Sequence, residues 1–532
     1  MNNRIVLTMA LLGMTLSLGA QDMYDAQRFS ATHYYGTART IGMGNAVTAV
    51  GGDIGSITFN PAGSSVAGYS QISLTAGVSV SSNAATGSII TQGATTPEGF
   101  GDNNVTRHPR MQLPSFGAVL NVDTHRSRGM LNYSFGVVGS ATNNFLSEVF
   151  ASGVNNQTTY LGYLATQADG IPSADLNSSA AYNSYPWLPV TAYQAGLIST
   201  YGGNSDKYAG ATEFIDEDGN IGLAGDIDQR FGQLAYGNKY DFAFNWSGNI
   251  NNTFYIGANI GMTSLSYKYD DYIREQALKN ADFPNEFDDG VIRYFDNAKA
   301  RYSYTASGAG IYAQLGVLAR LPAGFRIGAM IQTPTVLAIR EKWSQDMTLT
   351  YLNENSSTAE SPSGSASYRL RTPWKFSAGL AWTLGEKLLV SGDYEMMDYR
   401  SMKFTSGYNS GDDFSDANWG ISQWMGISHI FRLGAEFKPI PQLAVRAGYN
   451  LVTDPEKNDE ARYIYNNRRS ISAGVGYSSN GSFFCDLAIR MLDRGKQFIT
   501  PYGDYIEGVA SPEIALSHNH LWDVMFTAGW RF

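Results

Sequence analysis

The chain has 532 residues, and its 47 acidic against 37 basic side chains give a formal net charge of −10. A nucleic-acid partner requires a basic surface, so this balance argues against one. The single cysteine, Cys485, excludes an intramolecular disulfide, and its apolar neighbours Phe483 and Leu487 predict a small lipid-facing side chain. Beyond residue 20 there is no run of about 18 apolar residues, which excludes spanning a membrane by helices.

Residues 1–20 have the features of a secretory signal peptide. Arg4 supplies the positive start, residues 5–18 the apolar run, and Leu18-Gly19-Ala20 a small-residue cleavage site. The alternative is an uncleaved anchor. The residue directly after the cleavage site is Gln21 and not cysteine, so a lipid-anchored lipoprotein is not expected.

The next segment, 21–70, shows no strand periodicity. Residues 22–30 predict a short amphipathic helix, and glycines then punctuate the segment, among them Gly36, Gly42, Gly44, Gly51, Gly52, Gly55 and Gly63. A compact, turn-rich plug inside the barrel described next fits this composition. A flexible tail is the alternative.

From residue 71 onward, short stretches alternate apolar and polar residues. In the last one, Trp522, Phe526 and Trp530 share one face and Asp523 and Thr527 the other, as in a strand with one apolar and one polar side. Fourteen such stretches are predicted: 71–81, 113–122, 130–139, 239–248, 253–268, 309–320, 325–332, 374–382, 387–398, 428–438, 442–452, 469–478, 482–492 and 522–532. The fold predicted for 71–532 is therefore all-β, a 14-stranded antiparallel transmembrane β-barrel.

The connections alternate strictly in length. Those near 123–129, 249–252, 321–324, 383–386, 439–441 and 479–481 are short, with turn sequences such as Asn480-Gly481, whereas 82–112, 140–238, 269–308, 333–373, 399–427, 453–468 and 493–521 are long. Short periplasmic turns and long extracellular loops produce this alternation in an outer-membrane barrel, with both chain ends on the periplasmic side. A soluble sandwich does not require it. The predicted location is the outer membrane of a Gram-negative bacterium, as a multi-pass protein in contact with outer-membrane lipid.

Several sequence blocks match a known pattern. They are Gly36-Thr37-Ala38-Arg39, Gly42-Met43-Gly44-Asn45-Ala46, Gly51-Gly52-Asp53, Asn60-Pro61-Ala62-Gly63, Arg371-Thr372-Pro373-Trp374-Lys375 and Arg432-Leu433-Gly434-Ala435-Glu436. Together, and in this order, they resemble the long-chain fatty acid transporter family, the FadL/TodX group, and most closely its branch in Bacteroidetes-type bacteria. The strand count matches that family.

The resemblance implies a barrel closed by an N-terminal hatch, which passes hydrophobic molecules without ATP and without a TonB partner; no TonB box is recognised, and a monomer is expected. It assigns the hatch motif to Asn60, Pro61 and Ala62. It also implies a sideways exit at a kinked third strand, where Gly136 and Gly139 are the candidate kink residues. The 140–238 loop is longer than the family pattern.

That loop is rich in large apolar side chains, which a water-exposed loop avoids unless they cover or bind something. The candidate ligand-capture residues are Phe145, Phe150, Tyr160, Leu161, Tyr163, Leu164 and Trp187. They predict either an apolar entry groove or the core of a folded extracellular cap.

Charged residues on the polar face of the strands predict an ion-paired lumen lining, with Arg432, Arg446 and Glu436 as candidates. Asp216, Asp218 and Asn220 resemble a calcium loop, but the glycine spacing favours a solvated acidic turn. His518 and His520, and His33 in the hatch, leave haem open as a competing cargo. No metal site and no cofactor are predicted.

The leading hypothesis is passive transport of hydrophobic or amphipathic small molecules. The alternatives are a haem receptor, a barrel scaffold for surface or secreted proteins, and a membrane-embedded hydrolase. No Gly-x-Ser-x-Gly motif occurs in the sequence, so an enzyme is not expected.

Overall fold

The structure is a computed structural model that describes residues 21–88, 100–216, 220–287, 290–407, 413–457, 467–479 and 482–532. The predicted signal peptide at 1–20 lies outside the described residues, as do Asp218 and the predicted turn Asn480-Gly481. Among the described residues, no helix is long and apolar enough to cross a membrane.

The described strands form one closed antiparallel barrel. Around the barrel they are β1 (Gln71–Ser88), β2 (Asn104–Asp123), β3 (Met130–Asn144, continued by Ser147–Asn155), β4 (Ile227–Ile250), β5 (Phe254–Ala277), β6 (Ile292–Arg320), β7 (Phe325–Gln332, continued by Val336–Tyr351), β8 (Gly364–Arg371, continued by Lys375–Leu384), β9 (Leu388–Asp398, continued by Lys403–Ser406), β10 (Ile427–Ile440), β11 (Leu443–Val452), β12 (Arg468–Ser478), β13 (Phe483–Asp493) and β14 (Glu513–Arg531). Each strand pairs with the next, and β14 pairs with β1 from Arg531↔Gln71 to Glu513↔Ser88. The predicted 14-stranded barrel is confirmed.

The exterior is apolar where the sequence alternates. On β14, Trp522, Phe526 and Trp530 are 40%, 49% and 51% exposed, whereas the intervening Asp523 and Thr527 are fully buried. The same alternation on the other strands makes a continuous exposed apolar belt, as lipid contact requires.

Four strands are built in two parts, and two of the breaks contain a proline. Residues 333–335 and 372–374 separate the halves of β7 and β8 and include Pro334 and Pro373. Proline cannot donate a ladder hydrogen bond, so the ladder is interrupted there. The other breaks lie at 145–146 in β3 and at 399–402 in β9.

One end of the barrel carries the short turns and the other the long connections; we call them the short-turn end and the long-loop end. Ser70 and Phe532 exchange two backbone hydrogen bonds of 3.0 Å at the short-turn end. The strands are longer than predicted at the long-loop end: β4 begins at 227 rather than 239, and β14 at 513 rather than 522. Beyond the apolar belt both faces of a strand are partly polar, so the period-two signal is lost there.

The remaining elements lie at the long-loop end or inside the barrel. The helices are α1 (Met23–Ser30), α2 (Ala38–Gly42), α3 (Tyr160–Ala168), α4 (Ser173–Leu176), α5 (Ala181–Ser184), α6 (Trp187–Gln194) and α7 (Ser415–Trp424), with 3-10 turns at Ile54–Thr58, Pro61–Val66, Asn280–Asp282, Pro322–Gly324 and Tyr399–Ser401. Short strands are Ile198–Thr200, Tyr208–Gly210, Glu213–Ile215, Ile221–Leu223, Pro284–Glu286, Ser357–Glu360 and Gln497–Ile499. Helices α3 to α6 form a cap whose buried core continues onto the long-loop ends of β5, β6 and β7.

Residues 21–70 lie inside the barrel, and we call them the hatch. They begin with α1 in the long-loop half of the lumen, run through α2 and the two 3-10 turns, and leave at Ser70 beside the barrel seam. Nearly every hatch residue from 29 to 65 is buried.

Candidate functional site: the hatch and a gap in the wall

The hatch rests directly on glycines of the barrel wall. A Cβ at Gly448 would lie 2.0 Å from the backbone nitrogen of Gly44, and one at Gly316 would lie 2.1 Å from Oδ1 of Asn60. Gly44 itself has φ +61°, a conformation that glycine adopts without strain. Wall and hatch backbones therefore approach more closely than any side chain permits.

The predicted hatch motif is one of these contacts. The Asn60 side-chain amide donates to the carbonyls of Thr48 at 2.8 Å and of Val317 on β6 at 2.9 Å. Its Oδ1 accepts from the Ala62 N–H at 3.1 Å and so caps the 3-10 turn that Pro61 begins. Asn60, Pro61 and Ala62 thus tie the hatch both to itself and to the wall.

Buried ion pairs form a second set of contacts. Nε of Arg39 in α2 donates to Glu436 at 3.0 Å, and Nε of Arg446 donates to the same carboxylate at 2.7 Å. Arg446 also donates to Asp486 at 2.6 Å. The structure therefore brings Arg446 and Glu436 together, as an anchor for the hatch.

Arg432 lies elsewhere on the inner wall. It is 1% exposed, donates to Glu395 at 2.9 Å, and its guanidinium carbon lies 5.3 Å from the ring centre of Tyr34 in the hatch. All three candidate lumen residues thus face the hatch, and Glu436 and Arg446 also line the cavity at the short-turn end.

Helix α1 fills the long-loop half of the lumen. Asp22 accepts from the N–H groups of Tyr24 and Asp25 at 2.9 Å and so caps the helix. Phe29 packs edge-on against Phe145, at 6.5 Å between ring centres. Burial raises the pKa of Asp25, while its ion pair with Arg28 opposes that shift.

The barrel wall has a gap between β2 and β3. Their pairing runs from Asp123↔Asn132 to Ser115↔Ser140, and beyond it residues 104–112 of β2 pair with β1. Past Ser140, β3 still pairs with β4, but its other edge no longer pairs with β2 and forms hydrogen bonds with the hatch instead. The His33 N–H donates to the Thr142 C=O at 2.7 Å, and the Tyr35 N–H donates to the Ala141 C=O at 3.0 Å.

The gap is bounded at both ends. On the long-loop side of the gap, the Asp102 N–H donates to the Ser152 C=O at 3.0 Å. This bond joins the residues just before β2 to the second part of β3. Between these limits, the Tyr240 hydroxyl on β4 reaches past β3 and donates to Leu113 C=O on β2. Two more contacts cross the gap: the Arg110 guanidinium on β2 lies 4.7 Å from the ring centre of Tyr236 on β4, and Nδ1 of His108 on β2 lies 3.3 Å from the Glu148 carboxylate on the second part of β3.

Apolar groups surround the gap on the membrane side. Met111 and Leu113 on β2 are 85% and 41% exposed, and the rings of Phe116 and Phe242 lie 6.3 Å apart beside them. On the lumen side lies the hatch at Tyr35. The gap thus connects the lipid-facing belt to the hatch.

The irregularity in β3 lies further along the strand than the resemblance implied. The ladder runs unbroken through Gly136, opposite Val119 and Asn245, and through Gly139, opposite Phe116 and Phe242. The register shifts between Ala141 and Asn143, and also at the start of the strand between Met130 and Asn132. A Cβ at Gly139 would lie 2.5 Å from the Phe116 ring, so this glycine makes room for an aromatic side chain rather than for a kink.

The candidate capture residues are mostly inside the cap. Tyr160, Leu161, Tyr163 and Leu164 are on α3, buried among cap and wall side chains. The α3 N-terminus is held by Glu275 of β5, whose carboxylate accepts from Tyr160 N–H at 2.7 Å.

The other three candidates are dispersed. Phe145 packs on α1, while Phe150 on β3 lines an open outer-face cavity of about 570 Å³. The Trp187 ring lies 6.1 Å from that of Trp343 on β7, and its indole N–H donates to Tyr182 C=O at 2.8 Å. The arrangement is that of a folded cap; an open apolar groove is not formed by these residues.

The histidines do not converge. His33 is buried beside Tyr35, and desolvation together with nearby arginines lowers its pKa. His518 and His520 have ring centres 5.6 Å apart on β14. In the described ranges, no three His, Cys, Asp or Glu residues come together as a metal site would require.

The sequence analysis missed a cavity of about 360 Å³ at the short-turn end, beneath the hatch. Arg39, Asp53, Tyr69, Arg326 and Arg531 are among its lining residues. These residues come from five separated segments and no local pattern links them. The one available sequence signal was that the strand arginines fall at positions predicted to face the lumen.

The fold has known counterparts. No protein-family model matches the chain, and no curated protein matches it. The crystal structure of the Pseudomonas putida toluene transporter TodX covers 94% of this chain and 98% of its own, with a TM-score of 0.50 at 12% identity. The chain has the TodX fold.

Two further structures align over similar lengths. A Pseudomonas aeruginosa FadL homologue matches at 13% identity and a TM-score of 0.46, covering 94% of this chain and 99% of its own. The crystal structure of the Ralstonia pickettii toluene transporter TbuX matches at 14% identity and a TM-score of 0.42, covering 94% of this chain and 98% of its own. The predicted resemblance to FadL/TodX barrels is confirmed for the fold through TodX. The placement in a Bacteroidetes-type branch stays a prediction.

Proposed function

We propose that the protein is a passive outer-membrane channel for hydrophobic or amphipathic small molecules of the size of fatty acids or monoaromatic hydrocarbons. The long-loop end faces the outside and the short-turn end faces the periplasm, because outer-membrane barrels have short periplasmic turns and long extracellular loops. No catalytic step, cofactor or TonB partner belongs to the proposal, and the working unit is one barrel.

The observation that carries the proposal is the wall gap beside the hatch. The hatch closes the axial path with backbone contacts to wall glycines and with buried ion pairs such as Arg39–Glu436. A sideways route past Tyr35, Leu113 and Met111 leads instead into the apolar belt. An apolar solute that takes this route never has to enter the aqueous periplasm, which disfavours it by about 0.8 kcal/mol per CH₂.

TodX supports the cargo class, since the structure that shares this fold is that of a toluene transporter. The exposed apolar rim of the gap supports it independently. Haem lacks a comparable observation, because no three His, Cys, Asp or Glu side chains come together within the described ranges.

The proposal is tested by uptake in cells with an intact outer membrane that lack their own transporter of this kind. Cells producing the protein are expected to accumulate labelled oleate or toluene faster than cells carrying the empty vector. A polar solute of similar size, such as a disaccharide, is expected to enter both equally. Equal entry of polar and apolar solutes would mean a general porin and would contradict the proposal.

The gap is tested with Tyr240→Phe, which removes the hydrogen bond to Leu113. A net contribution of about 1 kcal/mol corresponds to roughly a fivefold change in an opening equilibrium. Where opening limits the rate, uptake is expected to rise by up to that factor. Tyr449→Phe, on the lipid face of β11 and 37% exposed, is the matched control. If both variants alter uptake equally, the gap is not the route.

A further inference from the structure

Five exposed basic side chains form a patch on the outer face of β7, β8 and β9. They are Arg340, Lys342, Arg369, Arg371 and Lys403, and we call them the basic cluster. Such a concentration stands out in a chain of net charge −10.

The strand register places these residues side by side. Arg371 is opposite Val336 on β7 and Lys403 on β9, and Arg369 is opposite Ala338, two residues before Arg340. Neighbouring strands are about 4.8 Å apart and same-face neighbours about 7 Å. The five side chains therefore share a strip roughly 20 Å long and three strands wide.

The cluster has no anionic partner among the described residues. None of the five makes an ion pair there, and the hydrogen bond found for the group is from Arg371 to Ser401 C=O at 3.2 Å. The adjacent carboxylate, Glu341, points the other way, is fully buried and bonds Gln21 at 2.6 Å. Asp346 is the acidic residue on the same face of β7, four positions beyond Lys342.

The cluster lies at the upper border of the apolar belt. Trp374 and Phe376, each 42% exposed, follow Arg371 on the membrane side, and Val336, 46% exposed, precedes Arg340. Aromatic residues mark the membrane interface in barrels. The basic groups therefore stand at the level of the head groups, on the long-loop side.

We propose that the basic cluster binds the phosphate groups of a phosphorylated glycolipid in the outer leaflet. Charge complementarity and continuity with the lipid-facing belt support this partner: acyl chains would lie along Val336, Trp374 and Phe376 while phosphates meet Arg340, Arg369 and Arg371. Arginine forks suit phosphate oxygens, with which they form bidentate contacts. The inference rests on the outer-membrane orientation given above and is independent of transport.

The test uses Arg340→Gln, Lys342→Gln and Arg369→Gln together, in the purified full-length barrel. Native mass spectrometry would follow titration with bis-phosphorylated lipid A, with the same lipid stripped of phosphate, and with inorganic phosphate. Each cation near a charged lipid contributes about a fivefold gain in binding, so the triple variant is expected to bind lipid A roughly 100-fold more weakly. The wild type is expected to bind lipid A much more tightly than the dephosphorylated lipid.

A matched control neutralises three exposed basic residues at the opposite end: Arg126→Gln, Arg128→Gln and Lys387→Gln. It is expected to bind lipid A as the wild type does. Equal weakening in both triple variants, or equal binding of both lipids by the wild type, would overturn the proposal. So would cluster-dependent binding of inorganic phosphate as tight as that of lipid A.

Two further readouts keep the test informative. Raising the salt from 50 to 500 mM should weaken wild-type binding to lipid A severalfold, since exposed charges are screened; salt-independent binding would contradict the proposal even if the triple variant did not fold. Uptake of oleate by the triple variant separates this inference from the proposed function, because loss of lipid A binding with normal uptake is the expected combination.

Discussion

The anchor formed by Glu436 gives the sharpest test of how the hatch is held. Glu436→Gln removes a carboxylate, 3% exposed, that accepts from Arg39 at 3.0 Å and from Arg446 at 2.7 Å. Breaking a buried ion pair costs about 3–5 kcal/mol. Arg446 keeps Asp486, and the Arg39 side chain is 21% exposed and partly solvated. We therefore expect the seated hatch to lose about 2 kcal/mol, which is roughly a 30-fold shift toward a displaced hatch.

Single-channel recording in planar bilayers measures this shift as the fraction of time spent in conducting states. Glu436→Gln is expected to raise that fraction by roughly 30-fold. The control is Asp398→Asn, which breaks the exposed pair with Arg400, where the side chains are 35% and 46% exposed; it should change the fraction less than about twofold. Wild-type conductance in a folded Glu436→Gln barrel would refute the idea that this ion pair holds the hatch.

Three more predictions concern a wall glycine, helix α1 and the cap. Gly448→Ala places a Cβ 2.0 Å from the Gly44 nitrogen and should displace the hatch, which single-channel recording would show as a larger conducting fraction. Gly392→Ala, whose Cβ would have no atom closer than 3.3 Å, should have the conducting fraction of the wild type. Phe145→Ala should loosen α1 by about 3–4 kcal/mol, seen as faster hydrogen exchange over residues 23–30. In the cap, burial raises the pKa of Glu213 from 4.5 to about 7, so the folded cap binds the proton more tightly than the unfolded cap. Cap stability should therefore fall by about 2–3 kcal/mol as the pH rises from 4.5 to 7 and stay level above it, and limited proteolysis of Glu213→Gln should lack this dependence.

The barrel could be predicted because one physical constraint governs it everywhere. Each strand separates lipid from lumen, so alternation such as Trp522–Asp523 and Phe526–Thr527 is written into the sequence. Strand ends outside the belt lose that constraint, which is why β4 and β14 begin earlier than the pattern indicated. Pro334 and Pro373 lie in the breaks within β7 and β8, and the alternation pattern predicts both as part of the loop 333–373.

The site was less predictable, because its contacts join distant segments. The sequence identified Glu436 and Arg446 as inward-facing, but their partner Arg39 lies in the hatch nearly 400 residues earlier. The wall gap depends on backbone pairing between His33, Tyr35 and the edge of β3, which side-chain types do not reveal. The family resemblance implied a kink at Gly136 and Gly139, but a glycine in a strand can also allow close packing. Gly139 does so, because its missing side chain makes room for the Phe116 ring.

The route through the wall is tested most directly by closing the gap with a reversible crosslink. In a Cys485→Ser background, Leu113→Cys and Tyr240→Cys would be joined by a bifunctional methanethiosulfonate about 10 Å long, a length suited to the distance that the Tyr240 side chain spans. The control joins Val445→Cys and Val475→Cys, which face lipid opposite each other on β11 and β12. We predict that oleate uptake falls to background on crosslinking the gap, recovers with reductant, and is unaffected in the control. Undiminished uptake with the gap fully crosslinked would contradict the account.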